Sequence, residues 1–250
     1  MRKVVQLAVL QRGMRDEVMK ILLLADHEEK ILWDDWSEET AEQFSDIDLI
    51  LSAGDLDADY LEFLVTMLNV PLVYVYGNHD ESYQKTPPQG CIDADGTIVE
   101  IRCGNPLEKI RILGLGGSMR YNDDAPYMYT EKEMKRRIFG IRKTILKNKI
   151  QGKLKGQGTF EIFLTHSPCK GYGDLDDLPH QGFACFNDLL NRYRPALHVY
   201  GHTHRAYGSA GTEGTAAGAG IKGFRRKIKH PSGTTLINAD SYFVLDTANL

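Results

Sequence analysis

The sequence predicts an α/β fold, because apolar runs of strand length alternate with amphipathic, helix-like segments along its 250 residues. Five of these runs are followed directly by polar clusters rich in His, Asp and Asn, and they cover residues 21–24, 49–51, 72–76, 162–164 and 197–200. Loops that leave the carboxyl ends of parallel strands meet at one edge of a sheet. The fold class therefore predicts that the polar clusters converge.

The first half of the chain alternates strands and helices. Residues 19–24, 47–52 and 71–76 are predicted as strands. A helix over residues 38–44 is predicted because Ser37 is a good N-cap and two glutamates follow it. A second helix is predicted over residues 59–68, where apolar side chains recur at three- and four-residue spacing.

The second half begins with shorter β segments and becomes helical. Strands are predicted at 97–101 and 110–115, followed by a strongly charged helix over 130–149. A further helix over 183–193 ends before Pro195, which disfavours helical conformation in the residue before it. The predicted β segments after these are 234–239 and 242–245.

Residues 1–18 are interpreted as an N-terminal extension, and residues 19–250 as one domain. The apolar run 4–10 is too short for a signal peptide and is interrupted by Gln6. No apolar run has the length of a membrane span, so we expect no membrane association. The four cysteines form no C-x-x-C pair, which favours free thiols in a reducing compartment and a cytoplasmic protein.

The overall charge argues against one class of partner. A net charge of −4 and a pI near 6.1 disfavour a nucleic-acid partner, because protein surfaces that bind nucleic acid are normally basic. The oligomeric state stays open.

Residues 208–223 are rich in Gly, Ala, Ser and Thr, a composition typical of a loop that could border the site as a lid.

The polar clusters consist almost wholly of metal-ligand chemistry. They contain five of the eight histidines, together with carboxylates and an amide. The clusters are Asp26-His27-Glu28, Gly54-Asp55, Gly77-Asn78-His79-Asp80, Thr165-His166 and Gly201-His202-Thr203-His204. Most of them would be ordinary turns or loops by themselves, although His202 and His204, one residue apart, already suggest ligation. Their coincidence behind successive strands predicts a metal site for two ions.

In this order, the clusters resemble the calcineurin-like metallophosphoesterase superfamily, over roughly residues 19–246. The resemblance implies a four-layer α/β/β/α sandwich with two facing mixed β-sheets and a dinuclear metal centre at the sheet ends. The middle β segments and the two final strands would form the second sheet.

The resemblance also implies a reaction and a set of roles. Asp26 and His204 would bind the first ion, and Asp55 would bridge both ions. Asn78, His166 and His202 would bind the second ion. A metal-bridging hydroxide would attack a small-molecule phosphomonoester or phosphodiester, with His79 as the catalytic residue that assists the leaving group. Mn²⁺ is the favoured metal, with Fe, Zn²⁺ and Mg²⁺ as alternatives.

Two positions depart from the family pattern. The first motif of the family is usually Asp-x-His, whereas here Glu28 stands in the third position. Alternation along an extended chain favours Glu28 over His27 as the ligand, which would favour a harder ion; a weakened first site is the alternative. The second departure is Ala58, where many relatives carry an acidic residue that orients the catalytic histidine. The partner of His79 is therefore open between Asp57, Asp59 and a backbone carbonyl.

Three further residues are candidate substrate contacts. Arg120 lies in the glycine-rich segment 116–121, Arg205 follows the last metal cluster, and His180 precedes a Gln-Gly pair. A simple turn and a loop histidine are the alternatives for Arg120 and His180. The alternative function is a non-catalytic metal-binding scaffold of the same fold that binds a protein partner.

Overall fold

The computed structural model describes residues 19–104, 107–155, 159–204 and 225–250, and it has a mixed α/β architecture with two large mixed sheets. The predicted fold class is thereby confirmed at this level. The interpretations of residues 1–18, Arg205 and residues 208–223 lie outside the described residues.

Thirteen strands and five α-helices are described in chain order. The strands are β1 (Lys20–Ala25), β2 (Leu49–Ser52), β3 (Leu72–Tyr74), β4 (Ile92–Asp93), β5 (Ile98–Cys103), β6 (Glu108–Leu115), β7 (Ser118–Met119), β8 (Met128–Tyr129), β9 (Ile162–Thr165), β10 (Leu197–Tyr200), β11 (Lys227–Lys229), β12 (Thr235–Asn238) and β13 (Ser241–Asp246). The helices are α1 (Glu38–Gln43), α2 (Ala58–Leu68), α3 (Glu131–Gly140), α4 (Arg142–Lys155) and α5 (Ala184–Tyr193). Short 3₁₀ turns cover Lys30–Leu32, Glu81–Gln84, Leu178–His180 and Thr247–Asn249.

The first sheet has the strand order β13-β1-β2-β3-β4. The four strands from β1 to β4 run parallel, and β13 pairs antiparallel with β1 along its whole length. Because β1, β2 and β3 are parallel, the loops that follow them leave the sheet at the same edge.

The second sheet has the order β11-β12-β10-β9-β6-β5, with β6, β9, β10 and β12 parallel and both outer strands antiparallel. It contains the predicted middle segments and the first of the two final strands. The expectation that both final strands join this sheet is wrong, since β13 pairs with β1 in the first sheet. The chain therefore crosses from one sheet to the other between β12 and β13.

Four of the five described helices begin within one residue of a predicted start. The Ser37 side chain accepts a hydrogen bond from the Thr40 N–H at 3.1 Å and caps α1. A capping box formed by Thr130 and Glu133 opens α3. The predicted single helix over 130–149 is two helices that meet at Ile141.

Three buried apolar clusters hold these elements together. One cluster joins residues of both sheets, including Ile21, Leu23, Leu51, Ile112, Leu164 and Val199. The second packs the first sheet against α2 and against Phe44, which follows α1, and the third packs the second sheet against α3, α4 and α5. In the described part of the chain, no helix is long and apolar enough to cross a membrane.

Candidate metal centre

The chain bends sharply at the ends of three strands. Asp26, Asp55 and His202 all have positive φ angles, of 67°, 57° and 66°. Few residues other than glycine adopt this left-handed conformation, and such strain is concentrated at functional sites. Each bend turns a polar side chain into the space between the carboxyl ends of β1, β2 and β10.

Two glycines allow these bends to come close together. A Cβ atom on Gly77 would lie 1.9 Å from Asp55 Oδ1, and one on Gly201 would lie 2.8 Å from Asp26 Oδ2. No side chain fits at either position without displacing a carboxylate. The glycines of the Gly-Asn-His-Asp and Gly-His-Thr-His clusters are therefore required by close packing against the aspartates.

The donor atoms of Asp55, Asn78, His166 and His202 form one group, called the first donor group below, at the place expected for the second ion. His166 Nε2 lies 3.0 Å from Asn78 Oδ1, 3.1 Å from His202 Nδ1 and 3.4 Å from Asp55 Oδ2. Asn78, His166 and His202 are almost completely buried. The residues predicted to bind the second ion are thus brought together, and three of them form a group that could hold a metal ion.

Backbone carbonyls fix the histidine tautomers of this group. His166 Nδ1 lies 2.7 Å from the Ala53 carbonyl oxygen, and His202 Nε2 lies 2.7 Å from that of Pro179. Because a carbonyl only accepts, each of these nitrogens carries the hydrogen. The opposite nitrogens, His166 Nε2 and His202 Nδ1, face each other inside the group, where they can share a proton or bind a metal ion.

The charges of this group are strongly coupled. Burial lowers the pKa of His166, but the negative charges of Asp55 and Asp26 outweigh it and raise the value to about 9. Burial also opposes ionisation of Asp55, yet His166 and the His79 N–H hold its pKa well below the usual range. The group thus attracts positive charge, which a proton or a metal cation can supply.

Asp26 lies beside this group with a fully buried carboxylate. Both of its oxygens accept from the His202 N–H, at 3.0 and 2.9 Å, and Oδ1 lies 3.7 Å from His204 Nε2. Burial raises its pKa to about 7, and the nearby charge of Asp55 adds to the shift. A cation beside Asp26 would offset this cost of burying a carboxylate.

A second group is formed by His27, His204 and Asp240. His27 Nδ1 lies 2.8 Å from Asp240 Oδ1, and the His27 and His204 rings meet edge to face at 4.9 Å. The alternation that favoured Glu28 over His27 fails, because Asp26 is left-handed and the extended strand has already ended at Ala25. His27 therefore turns towards His204.

Glu28 is directed elsewhere. Its Oε1 accepts a hydrogen bond of 2.7 Å from the Asp57 N–H, at the start of α2, and the residue is exposed. Among the described residues, Glu28 belongs to neither donor group. The structure thus ties Glu28 to the loop after β2.

His79 lies at the solvent-exposed side of the centre. Its N–H donates to Asp55 Oδ1 at 2.8 Å, which fixes the backbone next to the first donor group. Asp57, one of its three candidate partners, caps α2 by accepting from the Asp59 N–H at 3.1 Å. His79 is therefore held next to the first donor group through its backbone, at an exposed position.

Three residues of the centre were not predicted from the sequence. Asp240 follows a short β segment with no cluster of its own, so no motif marked it. Tyr121 accepts a hydrogen bond of 3.2 Å from Asn78 Nδ2. Asp80 accepts from two backbone N–H groups, at 2.6 and 3.0 Å, and joins the loops that follow β2 and β3. Tyr121 belongs to the glycine-rich segment 116–121 and Asp80 to the Gly-Asn-His-Asp cluster, but nothing in the sequence indicates that their side chains make these contacts.

The candidate substrate residues are placed unequally. The His180 ring lies 5.2 Å from that of His202, and its Nδ1 lies 2.5 Å from Asp177 Oδ2. The Arg120 guanidinium instead donates to the Met128 carbonyl at 3.1 Å and pairs with Glu133. His180 is therefore brought beside the first donor group, whereas Arg120 is held by β8 and α3.

Comparison with known proteins identifies the family. Residues 19–206 match the family model described as calcineurin-like phosphoesterase, and the chain belongs to this family. Its members usually bind divalent metals, as the two donor groups would allow. None of the curated proteins matches the chain.

Solved structures share the fold. The crystal structure of TT1561 of Thermus thermophilus is similar with a TM-score of 0.52 and 16% identity, covering 93% of this chain and 96% of that one. A second crystal structure has a TM-score of 0.56 and 12% identity, with the same shares covered. At these identities the likeness concerns the fold alone.

Proposed function

We propose that the protein is a metal-dependent phosphoesterase that hydrolyses a small-molecule phosphomonoester or phosphodiester. One observation carries the proposal: the lone pairs of Asp55, His166 and His202 converge within the buried first donor group. Backbone carbonyls hold the outer ring nitrogens, so the inner nitrogens are free to act as ligands. These atoms need a positive charge among them, which a bound divalent ion would supply in place of a proton on His166.

The residues fit two divalent ions. Asp55, Asn78, His166 and His202 would hold one ion, and Asp26 and His204 would contribute to the other, with Asp55 between them. Oxygen and imidazole ligands together suit Mn²⁺, Fe or Zn²⁺, and Mn²⁺ is our proposed metal because the set contains several hard oxygens. The ions, when bound, would activate water and neutralise charge on the phosphate oxygens.

The protein's own side chains would orient the reaction. The His79 imidazole is exposed beside the centre, and an imidazole can donate a proton or a hydrogen bond to a leaving oxygen at neutral pH. His180 lies close enough to His202 to line the same opening. We further propose the α/β/β/α layer order and a cytoplasmic location. We propose a small-molecule phosphate ester as the partner, with no membrane and no nucleic acid.

Turnover of p-nitrophenyl phosphate and bis-p-nitrophenyl phosphate with Mn²⁺ tests the proposal. We expect hydrolysis by the wild type and a loss of about 100-fold or more in kcat for His79→Ala, because a positioned acid contributes roughly that much. The His180→Ala variant should change KM more than kcat. No turnover with any divalent metal would refute the proposal and favour a non-catalytic scaffold.

A further inference from the structure

We propose that Asp240 is a ligand of the ion held by His27 and His204, so that the turn between β12 and β13 completes this site. The inference rests on the proposed function, since it concerns the first ion of the same centre, the one expected to be bound by Asp26 and His204. It assigns a carboxylate that no motif marks, and it replaces Glu28 in that role.

The topology delivers Asp240 to the centre. The chain leaves the second sheet at the end of β12 and enters the first sheet at β13, so residues 239–240 cross between the two. The Ala239 N–H donates to the Tyr200 carbonyl at 2.7 Å, next to the end of β10. Asp240 forms a bridge with Ala25, at the end of β1. It therefore lies between the two strands whose loops carry His27 and His204.

The donor atoms of the three side chains lie close together. Asp240 Oδ1 lies 2.8 Å from His27 Nδ1, and the donor atoms of Asp240, His27 and His204 all lie within 4.8 Å of one another. Two ligands of one ion are typically about 3 Å apart, since each metal–ligand bond is close to 2 Å. The group is therefore compact enough for a single ion.

The burial pattern distinguishes this group from a surface ion pair. The Asp240 side chain is 2% exposed, whereas that of His27 is 53% exposed. The backbone around Asp240 is fixed, because its N–H donates to Asn238 Oδ1 at 2.8 Å and its carbonyl accepts from Arg226. A buried carboxylate held rigidly below a half-exposed imidazole is suited to a cation that enters from solvent.

Asp26 supplies a fourth donor next to this group. Its Oδ1 lies 3.7 Å from His204 Nε2, on the side of His204 that faces β1. Two imidazoles and two carboxylates form a mixed nitrogen and oxygen set of the kind that binds Mn²⁺, Fe or Zn²⁺. The first motif of the chain thus loses no ligand by its departure from Asp-x-His, because Asp240 and the shifted His27 take the role.

Mn²⁺ titration of the metal-free protein by calorimetry, with metal analysis after desalting, tests the assignment. We expect two ions in the wild type, and Asp240→Asn should weaken one of the two sites at least about 10-fold while leaving the other unchanged. The matched control is Glu28→Gln, which removes the nearby carboxylate and should retain both ions. The unchanged site reports that Asp240→Asn is folded.

His27→Gln provides a second test at a half-exposed position, where a folding defect is not expected. It should lose the same ion as Asp240→Asn. Retention of both ions at wild-type affinity in either variant would overturn the inference. Failure of the wild type to bind Mn²⁺ or to hydrolyse phosphate esters would instead overturn the proposed function.

Discussion

We expect the free energy of unfolding of this protein to decrease in mild acid because of His198. The residue lies in β10 with its side chain completely buried, and its ring stacks on Phe163 at 4.7 Å. His198 Nε2 lies 2.8 Å from the Thr165 hydroxyl oxygen, whose own hydrogen is donated to the Ser167 carbonyl at 2.6 Å. The hydroxyl therefore accepts from Nε2–H, which places the hydrogen of the neutral ring on Nε2.

The other ring nitrogen, Nδ1, acts as a hydrogen-bond acceptor and is not protonated. His198 Nδ1 lies 3.5 Å from Cys169 Sγ, and a thiol in this position donates to the nitrogen. Burial lowers the pKa of His198 to about 3, and the nearby His230 adds to the shift. The Tyr200 ring, 5.5 Å away, brings no charge at neutral pH.

The sign and size of the effect follow from linkage. The unfolded chain protonates this histidine with a pKa near 6.5, whereas the folded chain keeps it neutral down to about pH 3. The unfolded state therefore binds more protons below pH 6.5, and stability is lost as the pH falls from about 6.5 towards 3. Between pH 7 and pH 5 the loss from this one group is about 2 kcal/mol.

Urea unfolding at pH 7 and pH 5, with chelator present so that bound metal does not contribute, measures this loss. The wild type should lose about 2 kcal/mol more than His198→Gln between the two pH values. The comparison cancels the contributions of all other titrating groups. Equal pH dependence of the two proteins would refute the assignment of a neutral, buried His198.

Three further outcomes are expected. Gly77→Ala should lower Mn²⁺ affinity by at least about 10-fold in a binding titration, because the new Cβ atom would lie 1.9 Å from Asp55 Oδ1. Gly140→Ala is the matched control, since a Cβ atom there meets no atom within 4 Å. Tyr121→Phe removes the acceptor of the Asn78 amide and should weaken one Mn²⁺ site by about 10-fold, and an unchanged affinity would show that the contact does not orient the amide. Removal of the metal with EDTA should lower the melting temperature, as measured by circular dichroism, and excess Mn²⁺ should restore it.

Much of the fold follows from local sequence. The apolar runs that end in polar clusters fix β1, β2, β9 and β10, since each is a short buried strand followed by a turn. The cap at Ser37 fixes the start of α1. The convergence of Asn78, His166 and His202 follows from their positions behind parallel strands, which is a property of the fold class.

Other features depend on contacts that no local pattern records. The left-handed backbone at Asp26 turns His27 rather than Glu28 towards His204, in a conformation that residues other than glycine seldom adopt. β13 joins the first sheet because β1 offers a free edge for antiparallel pairing, which apolar periodicity cannot specify. The same crossing brings Asp240 to His27 from 213 residues away.

Anomalous diffraction from crystals soaked in Mn²⁺ would test the proposed metal centre most directly. We expect two peaks, one among Asp55, Asn78, His166 and His202, and one beside His27, His204 and Asp240. A single peak at the first group would leave the phosphoesterase proposal standing on one ion and would remove the role of Asp240. The absence of any peak at either group would contradict the assignment of this site as a metal centre.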